Sequence, residues 1–329
     1  MRDFKIENGK LIKYNGKDQF VVVPEGVKSI EFEAFAHTGV IGVVLPDSVE
    51  EIGMQAFSRC PDLVRVEFPP TLKKLGYAAF EECERLLEVD LPPGLTEIGD
   101  NAFHGCLNLE RVSIPEGVTK IGYMSFVKCQ KLKEIVLPDS VVEMRPYAFA
   151  WCKSARKVRL SNNLNAIEKV AFWNCPAIES VEIPNGVTEI KEGAFTYCKA
   201  MKSVFLPDTL TTIENRAFSY CCSLESIVIP RGVTKIETET LGLCTSLKSV
   251  SIPDTVTRIE KFAMIDCKNL TEITIPPSLE SIGEYALGYY IDQERKSGPD
   301  PMTDFIIRGG KGTEAERYAK DNGFTFKEI

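Results

Sequence analysis

The sequence predicts an α/β solenoid, and three observations predict it. Cysteine recurs every 23 residues, at Cys60, Cys83, Cys106, Cys129, Cys152, Cys175, Cys198, Cys221, Cys244 and Cys267, with only Cys222 outside the series. Proline keeps the same period at Pro46, Pro69, Pro92, Pro115 and Pro138, yields once to Ser161, and resumes from Pro184 through Pro207, Pro230 and Pro253 to Pro276. Between these markers the residue types repeat as P-x-x-[VL]-x-x-I-x-x-x-A-F-x-x-C-x-x-L-x-x-[VI]-x-[IL]. A fixed period of this length marks stacked units, none of which can bury its apolar face alone. One elongated repeat domain is therefore expected, where length alone would suggest two domains.

Each conserved phase of the repeat has a physical reading. The alternation in Val112-Ser113-Ile114, Val181-Glu182-Ile183 and Val250-Ser251-Ile252 predicts one short parallel strand per coil, its apolar residues turned inward. The following proline lacks an N–H and turns the chain out of the ladder. The [VL]-x-x-I segment predicts a shorter strand on a second side. The Ala-Phe pair, from Ala56-Phe57 to Ala217-Phe218, predicts a short helical or 3₁₀ turn that brings Phe and the cysteine three residues later inward together. Leu241 and Met264 replace the phenylalanine in the last two of these repeats, which predicts looser packing there.

The ends differ from the repeats. Residues 1–23 read as an N-terminal β-hairpin cap turning at Asn8-Gly9, a dipeptide suited to a tight hairpin. Residues 24–290 are the solenoid, of about eleven to twelve repeats. It begins with a shortened repeat that places Thr38 where cysteine follows later, and Tyr290 takes the cysteine position at its end. Residues 291–329 read as a C-terminal cap: an insertion from Asp292 to Met302, a strand at Phe305-Ile306-Ile307, a helix from Thr313 that stops at Asn322-Gly323, and a last strand at Phe324-Thr325-Phe326. The Gly309-Gly310-Lys311-Gly312 turn matches neither common phosphate-loop pattern.

Composition narrows the function. The 329 residues are 44% hydrophobic and 26% charged, with a net charge of −8, which disfavours a general nucleic-acid binder. No apolar run reaches the length of a membrane span, and MRDFKIENGK lacks the apolar core of a signal peptide. A cytoplasmic chain is expected, or a surface or secreted one whose leader has been removed. The periodic cysteines would stack with parallel Cβ vectors, which suits a column of buried reduced thiols better than disulfides or a metal site. The two histidines, His37 and His104, lie repeats apart, and no nucleophile–base pair is visible. No enzymatic activity, no cofactor and no metal are expected.

The tandem motif exemplified by LTEIGDNAFHGCLNLERVSIP closely resembles the BspA-type leucine-rich repeat family, over roughly residues 20–290. The flanking FKIENGKLIKY and GTEAERYAKDNGFTF also resemble segments found beside such repeats in bacterial members. The resemblance implies a curved, right-handed leucine-rich repeat superhelix with its parallel sheet on the concave face and short turns and strands elsewhere. It also implies host-associated bacterial relatives, several of which are surface proteins that bind host matrix proteins or mediate adhesion. The asparagine of the better-known L-x-x-L-x-L-x-x-N-x-L repeat is not regular in this chain.

Partner contacts on a solenoid come from its variable positions. The outward column Arg65, Glu88, Arg111, Glu134, Lys157 alternates in sign and reads first as a stabilising ladder. In the next outward column, Phe205 beside Val228 makes a contiguous apolar spot. Just before the cysteines stand Trp151, Trp173, Tyr197 and Tyr220, near a locally basic stretch with Arg156 and Arg159. Aromatic and arginine side chains are common binding anchors, and a rim covering the coil edge is an equal reading. The expected function is a protein-interaction scaffold binding through the sheet or the aromatic edge; the alternative is a surface adhesin for host matrix protein or glycan. A monomer is expected, since the caps cover the strand edges.

Overall fold

A computed structural model describes residues 3–292 and 298–329. The insertion expected over 292–302 therefore falls partly outside the described residues. The chain forms two compact units, Met1–Leu164 and Asn165–Ile329. Each is a β-solenoid whose coils repeat the sequence period.

Every coil contributes two strands. The longer one, three residues with the pattern exposed–buried–exposed, comes just before the proline. Arg65–Glu67, Glu88–Asp90, Ser180–Glu182 and Ser226–Val228 are examples. The shorter one spans two residues, as in Glu97–Ile98 and Lys120–Ile121. Both pair in parallel with the same position of the neighbouring coil: Glu88, Val89 and Asp90 face Arg111, Val112 and Ser113, and Ile98 faces Ile121. This one-to-one register follows from the constant period. A shift by one residue would turn the buried Val/Ile column to solvent.

The third side of the coil corrects the sequence expectation. The Ala-Phe segment is not helical; among the described residues the helix is Glu314–Asn322. Alternate N–H groups point in different directions. Ala56 and Ser58 donate within their own coil, to Gly53 and Gln55, while Gln55, Phe57 and Arg59 donate to Tyr77, Ala79 and Glu81 of the next coil. A 3₁₀ helix would direct every N–H back along its own segment. Left-handed backbone at Gln55 and Arg59 produces the alternation, and each later coil repeats it, as at Asn101, Lys128, Tyr197 and Arg216. The turns thus serve as a third hydrogen-bonded seam between coils.

Phenylalanine and cysteine do point inward together. In the first unit, Tyr14, Phe35, Phe57, Phe80, Phe103, Phe126 and Phe149 stack with ring centroids 4.7–5.5 Å apart. In the second, Phe172, Phe195 and Phe218 stack similarly before Leu241, Met264 and Leu287 continue the buried column. In the periodic column thiols reach the phenylalanine carbonyl of the preceding coil, Cys83 to Phe57 at 3.0 Å and Cys106 to Phe80 at 3.2 Å among them. Cys267 uses Leu241 in the same way. Burial raises the pKa of Cys83, Cys106, Cys129 and Cys267, that of Cys267 to about 12, whereas hydrogen bonding with Cys83 lowers that of Cys60 at the start of the column. The thiols so raised are therefore protonated and unreactive at neutral pH.

At the N-terminus Phe4–Glu7 and Lys10–Tyr14 form an antiparallel hairpin, with Asn8 and Gly9 left-handed at the turn. Lys10–Tyr14 also pairs in parallel with Ser29–Ile30, and the Tyr14 ring begins the aromatic stack. At the C-terminus Ile306–Gly309 and Thr325–Glu328 extend the long-strand sheet beyond Glu272–Thr274. The helix between them buries Ala315, Tyr318 and Ala319, and Gly323 ends it with left-handed backbone.

Candidate functional site

Two surfaces of the second unit stand out, on different sides of the coil. The first is the face of the long strands. Ser180, Ser203, Ser226 and Ser249 form one outward column, and Glu182, Phe205, Val228 and Ser251 the next. Phe205 is 64% exposed and Val228 67%, at equivalent positions of successive coils. Their strand neighbours carry hydroxyls, and the Lys248–Glu225 pair lies one residue outside the serine column.

The second surface is a groove of about 390 Å³ beside the turns. Trp173, Tyr197 and Tyr220 line it together with Val170, Gly193, Thr196, Ser219, Glu192, Arg216 and Glu239. Tyr197 and Tyr220 stack at 4.2 Å, and Trp173 meets Tyr197 edge-on at 6.3 Å. Burial and a hydrogen bond to Tyr197 raise the pKa of the Tyr220 hydroxyl. Arg216 donates two bonds to Glu239, Nε to Oε2 at 3.0 Å and Nη2 to Oε1 at 2.9 Å. Lys169 pairs with Glu192. Thr196 and Ser219 spend their hydroxyl hydrogens on the Arg216 and Gly242 carbonyls.

The other predicted residues belong to the first unit. Trp151 has Lys153 Nζ 5.3 Å from its ring centroid. Arg156 lines a basic groove with Lys133, Glu134, Ser154 and Lys157. Arg159 is tied to Asp139 at 3.3 Å and to the Leu137 carbonyl. The structure thus brings Trp173, Tyr197 and Tyr220 together, sets Phe205 with Val228 on another face, and leaves Arg159 in a surface ion pair.

Two features escaped sequence reading. Gly193 floors the groove: Gln55, Asn101, Met124, Tyr147, Phe262 and Tyr285 occupy its place in other coils, so the groove exists where that column loses its side chain. A glycine at a position filled elsewhere was the available signal. The other is a hydroxyl column two residues after the proline position. Ser48, Thr71, Ser140, Thr209, Thr255 and Ser278 bond carbonyls of the preceding coil, Ser140 to Val118 for example.

Among the described residues no group of His, Cys, Asp and Glu is arranged to hold a metal ion, and no helix is long and apolar enough to cross a membrane.

Stacked 23-residue coils, inward phenylalanine and cysteine columns and parallel strand ladders define a leucine-rich repeat β-solenoid. The profile of the BspA type leucine rich repeat region matches residues 13–133, 124–245 and 213–294, and the chain belongs to that family. A leucine-rich repeat protein from Bacteroides ovatus is similar in fold, with 24% identity and a TM-score of 0.70 over 99% of this chain and 97% of that one. The pneumococcal vaccine antigen PcpA is similar at 18% identity and a TM-score of 0.59, over 97% and 91% of the two chains. A leucine-rich repeat protein from Eubacterium ventriosum gives 19% and 0.55, over 90% and 92%. Comparison with curated proteins finds no match.

Proposed function

We propose that the chain is a non-enzymatic protein-binding scaffold that meets its partner on the long-strand face between Ser180 and Ser251. One observation carries this reading: Phe205 and Val228 lie on neighbouring strands, about two-thirds exposed, between Glu182 and Ser251 and beside the serine column. Single exposed apolar residues are ordinary on any protein. Two adjacent ones, with Glu182 on one side, Ser251 on the other and serines along the neighbouring column, match the apolar centre and polar rim of a protein contact. The serines leave the backbone ladder accessible and bring no charge that a partner must desolvate.

The test is a binding comparison between the native chain and a Phe205→Ser/Val228→Ser variant, against purified extracellular-matrix proteins and against proteins of the source cell. A binder retained by the native chain and lost by the folded variant supports the proposal. Equal binding by both removes this face from consideration. The identity of the binder also assigns the compartment. A matrix protein makes the chain a surface or secreted adhesin, and a cellular protein makes it a cytoplasmic scaffold. Trp151, Arg156 and Arg159 enter the same assay as separate substitutions, because a basic contact in the first unit would respond to them and not to Phe205. Light scattering of the unliganded chain tests the accompanying proposal that it is a monomer.

A further inference from the structure

We propose that the turn-side groove floored by Gly193 is a binding site for a neutral saccharide. Its volume, about 390 Å³, falls within the range of small-ligand pockets. One part of its lining is aromatic: Trp173, with the stacked pair Tyr197 and Tyr220. Another part is polar, with the doubly bonded Arg216–Glu239 pair and Glu192. The charges are already matched. Glu192 is paired with Lys169, and Arg216 with Glu239. An anionic ligand would face Glu192 and Glu239; a cationic one would have to displace Lys169 or Arg216. A neutral sugar has neither difficulty. Its C–H face packs against an aromatic ring, and its hydroxyls both donate and accept, so they can bond a guanidinium and a carboxylate at once.

Gly193 makes the site specific to this coil. Its backbone is left-handed, with φ 62°, as it is at the equivalent Asn101, Met124 and Phe262. A Cβ there would lie 3.1 Å from Val170 Cγ1 and 3.4 Å from Thr196 Oγ1, inside the groove. The coil geometry accepts a side chain at this point; this coil alone among its neighbours Val170 and Arg216 leaves it out.

Trp151 and Trp173 are the two tryptophans of the chain, so a Trp151→Phe background makes Trp173 the single indole reporter in the groove. The experiment titrates its fluorescence with glucose, galactose, mannose, N-acetylglucosamine, cellobiose and lactose, and with tetramethylammonium as the cationic control. The expected result is a saturable change with at least one saccharide. Affinity should fall about tenfold or more in Gly193→Asn, which borrows the residue of the Asn101 coil. Tyr197→Ser should weaken it comparably, and Phe205→Ser should leave it unchanged. The proposal is overturned if none of the saccharides gives a saturable signal, if tetramethylammonium binds in their place, or if folded Gly193→Asn binds as well as the parent. Because Phe205 lies outside the groove, this outcome is independent of protein binding on the strand face.

Discussion

The two units build the same coil and distribute their charges differently. On the long-strand face of the first, charged side chains are bonded across coils. Arg111 reaches Glu88 at 2.7 Å and Asp90 at 2.5 Å, and Lys157 reaches Glu134 at 3.2 Å. Hydrogen bonding to Arg111 holds the Asp90 carboxyl below its ordinary pKa. The corresponding columns of the second unit hold four serines, Glu182, Phe205, Val228 and Ser251 before a charged pair, Arg308 with Glu272, returns at the C-terminal end. At the entrance to the turns the contrast is reversed. Gly53, Gly76, Gly99 and Gly122 occupy that position in successive coils of the first unit before Arg145, whereas Glu168, Lys191, Glu214, Glu237 and Glu260 occupy it in the second before Gly283. There Lys191 pairs with Glu168, and Lys235 pairs with both Glu237 and Glu260. The buried columns change only from one apolar residue to another, as where Leu241, Met264 and Leu287 replace Phe, because a coil that lost its apolar filling would lose its core. The exposed columns are free to differ, and their differences are where binding is to be sought.

The largest expected effects test the shared core against the variable faces. Phe126 is fully buried between Phe103 and Phe149, so Phe126→Ala should destabilise the chain by about 3–5 kcal/mol in chemical denaturation. Phe205→Ala should change stability by less than about 0.5 kcal/mol. Similar losses from both would erase the distinction between core and contact face. Gly99→Ala ranks next. A Cβ there would approach the Leu75 carbonyl oxygen to 2.6 Å and that of Gly76 to 2.8 Å. Backbone cannot swing aside as a side-chain tip can, so the expected loss is about 1–3 kcal/mol. Glu260→Ala, at the same point of a coil in the second unit, should cost about 1 kcal/mol or less, since it removes a partly exposed ion pair. If Gly99→Ala is neutral, the glycine column does not set the local approach of the coils.

The thiol column provides a pH test. In the unfolded chain a cysteine ionises near its ordinary pKa, whereas burial holds the Cys267 thiol near 12 and raises Cys106, Cys221 and Cys244 as well. The folded state therefore binds these protons more tightly. Their contribution is fully present below pH 9 and is lost progressively as pH rises toward 12. At pH 10 the Cys267 thiol should have given up about 1.4 kcal/mol, the equivalent of one pH unit. Denaturation midpoints measured from pH 7 to 10 should fall steeply above pH 9. At pH 8, a thiol-reactive disulfide reagent should modify Cys222, the partly exposed cysteine, and spare the buried column until the chain unfolds. Equal reactivity of all eleven would show that the column opens freely.

How much of this was legible in the sequence depends on which group faces which. The period, the parallel register and the inward Phe and Cys columns follow from side-chain pattern alone, since identical coils can stack productively in one register. The form of the turns does not follow. Left-handed backbone is normally read from Gly or Asn, yet here Gln55, Arg59, Glu82 and Lys128 adopt it because inter-coil hydrogen bonds hold them there. Trp151, Tyr197 and Tyr220 share that conformation, so their backbone strain belongs to the fold and says nothing of binding. At the candidate sites the exposure of Phe205 and Val228 could be read from strand alternation. The groove could not, because it depends on Gly193, on the Trp173–Tyr197 edge contact and on Arg216 turning to Glu239 in the neighbouring coil. Those are relations between coils, and only the residue types were available in advance.

The smallest expected effect sharpens the charge contrast itself. Lys157 and Glu134 are well exposed and 3.2 Å apart, so their attraction works in high dielectric and against the entropy of two long side chains. Lys157→Met should therefore reduce stability by no more than about 1 kcal/mol, and that difference should shrink as salt rises toward 1 M and the Debye length falls to about 3 Å. Ser226→Ala, on the same face of the second unit, removes no charge and should give a difference independent of salt. Two salt-independent results would mean that the charged ladder of the first unit contributes nothing to the stack, and that its alternating signs serve a partner. A salt-dependent loss confined to Lys157→Met would instead assign those charges to coil stacking, leaving the serine-lined face of the second unit as the surface available for recognition.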